Sequence, residues 1–161
     1  MRASSLLALL LAASCQETVE VNPAAQAGCE APTSDRLIAR SSMLPGWDCQ
    51  ACHKAGGEAE DVAWTVAGTV FQDDAAAATC NAGGASGVKV EILDAMDKVL
   101  LTMSTNSAGN FYSAEKIAFG QYRARVSKNG VVETMPDLQT ATSCNGCHNP
   151  SVNNNGRITL N

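Results

Sequence analysis

The chain has 161 residues and a net charge of −5 at pH 7, and 45% of its residues are hydrophobic, enough for one packed domain with a short extension. Only 4% are aromatic, so the core must consist mainly of Val, Ile, Leu and Ala. The acidic balance argues against a nucleic-acid partner, and the longest apolar stretch, residues 6–13, is too short to span a bilayer.

The first fourteen residues have the pattern of an export signal, in which a positive start at Arg2 precedes an apolar stretch and several small residues. The last small residues form Ala12-Ala13-Ser14-Cys15, which resembles the lipobox of bacterial lipoproteins although Ala12 stands where Leu is commonest. This resemblance implies acylation of Cys15 and, with Gln16 next in the chain, an anchor in the outer membrane. An ordinary secretory signal that is cleaved near Cys15 is the alternative.

Two identical sequence frames contain four of the seven cysteines and both histidines. Cys49-Gln50-Ala51-Cys52-His53 and Cys144-Asn145-Gly146-Cys147-His148 both read C-x-x-C-H, the attachment signature of c-type haem. Two thiols three residues apart on a helical turn can add to the haem vinyl groups, and the next residue, His, can ligate the iron. A zinc site made of two C-x-x-C pairs and a pair of vicinal disulfide-type motifs are the alternatives, but both give the histidines no role. We therefore expect two covalently bound haem c groups, held by Cys49, Cys52, Cys144 and Cys147, with His53 and His148 as axial ligands.

Cys29 and Cys80 are left once Cys15 and the four motif cysteines have been assigned. In an oxidising compartment we expect these two thiols to form a disulfide, which would connect the N-terminal tether to the domain. Two unpaired thiols, or a bridge to another chain, are the alternatives that the sequence leaves open.

Methionine is the natural sixth iron ligand within this chain, because both histidines already belong to the motifs. We predict Met43 and Met135 as the distal ligands of their nearest haems. The alternatives are that Met43 covers a haem edge and that Met135 packs opposite Ala124 across a hairpin. Met103 continues an alternating strand pattern and is predicted in the core, whereas Met96 lies in a turn and is predicted to be exposed.

Hydrophobic and polar residues alternate in six short segments between Trp64 and Met135. Turns separate the segments, and one of them, Asn129-Gly130, is the strongest two-residue hairpin signal. Short strands with frequent turns predict a mainly β fold, an antiparallel Greek-key-type β-sandwich flanked by two short helical C-x-x-C-H segments. Because an even number of strands returns the chain to its starting end, we expect both motifs at one end of the sandwich.

Four segments of this region carry a family resemblance, namely Val66-Ala67-Gly68-Thr69-Val70, residues 87–92, residues 105–112 and residues 122–126. They resemble the carboxypeptidase regulatory-like, transthyretin-like β-sandwich domains of bacterial surface proteins. Such domains also occur between C-x-x-C-H motifs in multihaem cytochromes. The resemblance therefore implies a small dihaem c-type cytochrome lipoprotein.

The expected function is electron transfer at the bacterial cell envelope, with the chain acting as an electron carrier and not as an enzyme. Its partners would be redox proteins, other multihaem cytochromes among them, and it would face the periplasm or the cell surface. A cell-surface adhesion or assembly module with accessory haems, and a small dihaem peroxidase or reductase, are the alternatives. The predicted segments are a signal peptide (1–14), a lipid-anchored flexible tether (15–42), the first haem-binding segment (43–61), the β-sandwich (62–136) and the second haem-binding segment (137–161).

Overall fold

The computed structural model describes residues 45–73, 83–118, 120–149 and 156–160, and these are mainly β. The fold class expected from the two-residue periodicity is therefore confirmed. The elements in chain order are α1 (Cys49–Cys52), the 3-10 turn Glu60–Val62, β1 (Val66–Phe71), β2 (Lys89–Asp94), β3 (Val99–Ser104), β4 (Asn110–Ser113), β5 (Tyr122–Lys128), β6 (Val131–Thr134), α2 (Cys144–Cys147) and β7 (Ile158–Thr159).

The strands form two sheets, one with the order β4-β1-β7 and one with the order β3-β2-β5-β6. Neighbouring strands are antiparallel except β1 and β7, which run parallel. Asn129 and Gly130 connect β5 to β6 with φ values of 52° and 87°, the left-handed conformation that a tight hairpin requires. All six predicted strands are present. The seventh was not predicted because it has only two residues, too few to show a periodicity.

The two sheets enclose an apolar core. Val66 and Val70 of β1 and Phe111 of β4 cluster with Val90 and Ile92 of β2, and none of these side chains is more than 2% exposed. Every residue of β1 is buried, because this strand has neighbours on both sides and the core beneath it. Burial of large aliphatic side chains is the main source of stability in such a fold.

Two predictions on methionine are confirmed, since Met103 lies in the core and Met96 is 84% exposed in the turn between β2 and β3. Within the described part of the chain, no helix is long and apolar enough to cross a membrane. The predicted lipidation site Cys15, the predicted Cys29–Cys80 disulfide and the predicted iron ligand Met43 lie outside the described residues.

Candidate functional site

The first cysteine motif forms a single helical turn. Asp48 caps this turn, and its carboxylate accepts a hydrogen bond from the backbone N–H of Gln50 at 3.0 Å. Such a cap satisfies one of the N–H groups that a helix start leaves without an intrahelical partner. His53 closes the turn, because its backbone N–H donates to the carbonyl of Cys49 at 2.9 Å. The two cysteines and the histidine thus lie on one compact segment.

The second cysteine motif is built in the same way. Ser143 is its cap, and the side-chain oxygen accepts a hydrogen bond from the backbone N–H of Gly146 at 3.3 Å. The backbone N–H of His148 donates to the carbonyl of Cys144 at 2.8 Å. Two separate parts of the chain therefore present the same arrangement of thiols and imidazole.

The two helical turns contact each other through their caps. The hydroxyl of Ser143 donates to the carboxylate of Asp48. Beside it, the hydroxyl of Thr142 donates to the side-chain carbonyl of Gln50 at 2.7 Å. The two motifs, far apart in the sequence, are therefore neighbours in the fold.

Asn145, inside the second motif, connects both motifs to β1. Its side chain is almost completely buried, donates to the carbonyl of Trp47 at 2.8 Å and accepts from the backbone N–H of Thr69 at 3.0 Å. Ser143 also forms a parallel bridge with Ala67 of β1. The expectation that the two motifs lie together is confirmed. They meet alongside β1, because the segment around Ser143 runs beside this strand.

Both motif histidines place Nδ1 next to a backbone carbonyl, His53 at 3.1 Å from the oxygen of Val62 and His148 at 3.1 Å from the oxygen of Gly156. With Nδ1 as the donor, Nε2 carries a lone pair, which is how metal-ligating histidines are usually oriented. Nε2 of His53 is buried and has no hydrogen-bond partner. A buried polar atom without a partner costs about 1–3 kcal/mol. This nitrogen therefore fits an axial ligand of a haem iron.

The four motif cysteines differ in their exposure. Burial, helped by the charge of Asp48, raises the pKa of the Cys49 thiol to about 12, and burial raises the pKa of Cys144 to the same value. Cys144 is buried, whereas Cys49, Cys52 and Cys147 are half-buried. None of these four described cysteines forms a disulfide. Among the residues that the structure describes, no three His, Cys, Asp or Glu side chains converge on a common metal position.

A cavity of about 400 Å³ lies between the end of β6 and the second motif. His148 and Met135 both line it, so the structure brings together the two residues predicted to ligate the second haem. The backbone N–H of Met135 donates to the carbonyl of Ala124 at 2.9 Å. Met135 therefore also lies opposite Ala124, the position predicted by the alternative that it packs across the hairpin. The rest of the lining is mostly apolar and includes Val90, Phe111, Val126 and Ile158. Such a lining suits a mainly apolar ligand.

Two features around the motifs were missed by the sequence reasoning. Trp64 stacks on the ring of His53, with ring centroids 3.7 Å apart and an interplanar angle of 15°. Arg157 lines the cavity and lies over the ring of Phe71 at 4.8 Å, and burial lowers its pKa. Neither residue belongs to a motif. The only sequence signal was the scarcity of aromatic residues, which makes each aromatic residue, Trp64 included, a candidate for a specific role.

Comparisons with protein-family models, with curated proteins and with solved structures found no match for this chain. The likeness of residues 64–135 to carboxypeptidase regulatory-like domains therefore stays a prediction from sequence. The function has to be inferred from the chemistry of the two motifs.

Proposed function

We propose that this chain binds two haem c groups covalently and transfers electrons at the bacterial cell envelope. One observation carries the proposal. In both motifs Nδ1 of the histidine lies against a backbone carbonyl, and in the first motif Nε2 of His53 is buried without a partner. A bound haem c supplies an iron centre that takes up and releases one electron.

The residues of the two motifs have separate tasks in this proposal. The thiols of each C-x-x-C pair become thioethers and fix the haem to its helical turn. His53 and His148 hold the irons, and their Nδ1 hydrogen bonds fix the orientation of the imidazoles. Met135 is proposed as the distal ligand on the second iron because it lines the same cavity as His148. Met43 is proposed in the same role for the first iron.

Contact between the motifs supports electron exchange within the protein. Ser143 and Asp48 join the caps of the two turns, and Asn145 anchors the second turn to the carbonyl of Trp47, two residues before Cys49. The segments that would carry the two haems are therefore held next to each other. An electron carrier with two sites benefits from this arrangement, because each site can pass its electron to the other.

We further propose that the protein is exported and lipid-anchored at Cys15, in the outer membrane and facing the periplasm or the cell surface. Two or three acyl chains would give a stable anchor, because a single chain binds a membrane only marginally. The net charge of −5 favours redox partners with basic patches, other multihaem cytochromes among them. The tether would let the sandwich reach such partners.

The proposal is tested by expressing the full chain, with its own N-terminal segment, in a bacterium that attaches haem c to exported proteins. We expect the intact mass to include two haem groups and acyl chains, and the reduced-minus-oxidised spectrum to show haem c. The Cys49→Ser, Cys52→Ser double variant and the Cys144→Ser, Cys147→Ser double variant should each lose one haem. A colourless protein, with a mass explained by amino acids and lipid alone, would refute the proposal.

A further inference from the structure

Three aromatic rings lie in a row from the first motif to the protein surface. The rings of His53 and Trp64 stack with centroids 3.7 Å apart, and the rings of Trp64 and Tyr112 stack with centroids 4.4 Å apart. Both interplanar angles are 15°. His53 is buried, whereas Tyr112 is 43% exposed on β4, an edge strand of its sheet. The row therefore connects a proposed iron ligand with solvent.

Trp64 carries the middle ring of the row, and hydrogen bonds hold its backbone at both the N–H and the carbonyl. The N–H of Trp64 donates to the carbonyl of His53 at 3.0 Å, and the side chain of Gln50 donates to the carbonyl of Trp64 at 3.1 Å. The backbone N–H of the next residue, Thr65, donates to the carbonyl of Ser113 in β4 at 2.6 Å. The first motif and the strand of Tyr112 thus both hold the segment of Trp64.

Core packing does not explain the position of Trp64. Its side chain is only half-buried, and the apolar cluster between the two sheets, in the described part of the chain, does not include it. Nor does Tyr112 contribute to that cluster, since it projects from β4 on the side opposite to Phe111. The stack lies outside the core, between the motif and the surface.

We propose that Trp64 and Tyr112 form the electron path between the first haem site and a redox partner protein, with Tyr112 as the contact point. This inference rests on the proposed function. His53 would hold the iron of the first haem, and in the forward step this centre would give one electron to a one-electron acceptor protein docked at Tyr112. The haem would be oxidised by one electron and the acceptor reduced by one. No proton moves and no bond forms or breaks, because the stacked rings provide electronic coupling without holding the electron.

The test uses a photoactive ruthenium polypyridyl complex in place of the unidentified partner. It is attached to a histidine introduced by Glu115→His, at an exposed position two residues after β4. A second protein carries it at Val132→His, on the exposed edge strand β6 of the other sheet. Both native histidines would be iron-bound, so the label is directed to the new residue. Flash photolysis then measures the rate at which an electron reaches the haem from each label.

We expect Tyr112→Leu and Trp64→Leu to lower the rate from the label at position 115 severalfold, and Tyr112→Phe, which keeps the ring, to preserve it. The rate from position 132 should be the same in all variants. Equal rates for Tyr112→Leu and Tyr112→Phe at position 115 would overturn the proposal. A similar slowing at both labels would overturn it too, since it would indicate a general structural effect.

Haem content and reduction potential separate this inference from the proposed function. The Tyr112 variants should retain two haems by mass and unchanged reduction potentials, because the ring of Trp64 lies between Tyr112 and His53. If the parent protein contains no haem, the proposed function fails and the electron path fails with it. If haem is present and the rates do not depend on Tyr112, only the electron path is refuted.

Discussion

The hydroxyl of Ser143 donates a hydrogen bond to the carboxylate of Asp48, so the residue that caps the second motif also binds the cap of the first. Each helical turn has only four residues. Turns this short are unstable alone, because helix nucleation fixes several backbone angles for very few hydrogen bonds. The cap-to-cap contact therefore makes the placement of each motif depend on the other.

Removing either cap should destabilise the protein. Ser143→Ala and Asp48→Ala are each expected to lower the free energy of unfolding by about 1–2 kcal/mol, because each leaves N–H groups of a helical turn without an acceptor. Urea unfolding measures the effect. The double variant should lose less than the sum of the two, since both changes remove the same hydrogen bond.

The matched control for the caps is Asp97→Asn. The side chain of Asp97 is 65% exposed and forms an ion pair with Arg123 at 3.5 Å, and Asn tolerates its positive φ of 61°. Because solvent screens the exposed carboxylate, the ion pair contributes little and the change should stay within about 0.5 kcal/mol. Strict additivity of the Ser143 and Asp48 variants would contradict the coupling of the two motifs.

Substitution of Asn145 should lower the free energy of unfolding more than its position in a C-x-x-C-H frame suggests. Asn145→Ala removes the side-chain acceptor of the buried Thr69 N–H and one of the donors to the carbonyl of Trp47. We expect a loss of about 1–3 kcal/mol in the free energy of unfolding, measured by urea titration. Gln121→Ala, which removes an exposed amide, is the control and should be nearly neutral. A neutral Asn145→Ala would show that this amide does not hold the second motif against β1.

The alternation of apolar and polar residues predicted the strands best where one face is buried, as in β3, whereas β1 is buried throughout and β6 is exposed throughout. The hairpin at Asn129-Gly130 followed from the need for positive φ at both positions. The helical turns at the two motifs followed from the spacing of the thiols. These features depend on neighbours close in the chain, which a local pattern can record.

Long-range contacts of the site could not be predicted in this way. No local pattern connects Asn145 to Thr69 of β1 or Trp64 to Tyr112, because each pair is far apart in sequence and meets only in the folded chain. Strand β7, which pairs in parallel with β1 through Ile158 and Thr159, has only these two residues and leaves no periodic signal. Strand counting placed the motifs together but could not place them beside β1, because it contains no information on lateral contacts.

At Gly68, β1 passes close to the second motif. A Cβ atom there would lie 2.6 Å from the ring of Phe111 and 2.8 Å from Cβ of Cys144. Gly68→Ala is therefore expected to lower the free energy of unfolding by about 1–3 kcal/mol, because the motif or the ring must move. Gly120→Ala is the control, since a Cβ there meets nothing within 4 Å. Equal stability of the two variants, compared by thermal unfolding, would argue against tight packing of the motif on β1.

The chain without attached haem should lose stability at alkaline pH. Burial raises the pKa of the Cys49 and Cys144 thiols from 9.0 in the unfolded chain to about 12 in the fold. The unfolded state therefore releases these protons first. The contribution of the two protonated thiols to the free energy of unfolding is complete below pH 9 and is lost as the pH rises towards 12.

Urea midpoints recorded across this pH range check the effect. The control is the Cys49→Ala, Cys144→Ala double variant, which has no thiol at the two positions and should show a much weaker alkaline decrease. Protein with both haems attached should resemble the control, because thioether sulfur carries no ionisable proton. Identical pH profiles for the parent chain and the double variant would show that these thiols do not contribute.

The proposed ligation of the second iron by Met135 can be tested by spectroscopy. Met135 lines the same cavity as His148, whereas Met96 is 84% exposed in the turn between β2 and β3. In the haem-loaded protein, Met135→Ala should weaken the near-infrared charge-transfer band of His–Met haem and lower the reduction potential of one haem, because thioether ligation raises the potential. Met96→Ala should change neither. The remaining band should disappear in the Met43→Ala, Met135→Ala double variant, and a band that persists there would exclude both methionines as iron ligands.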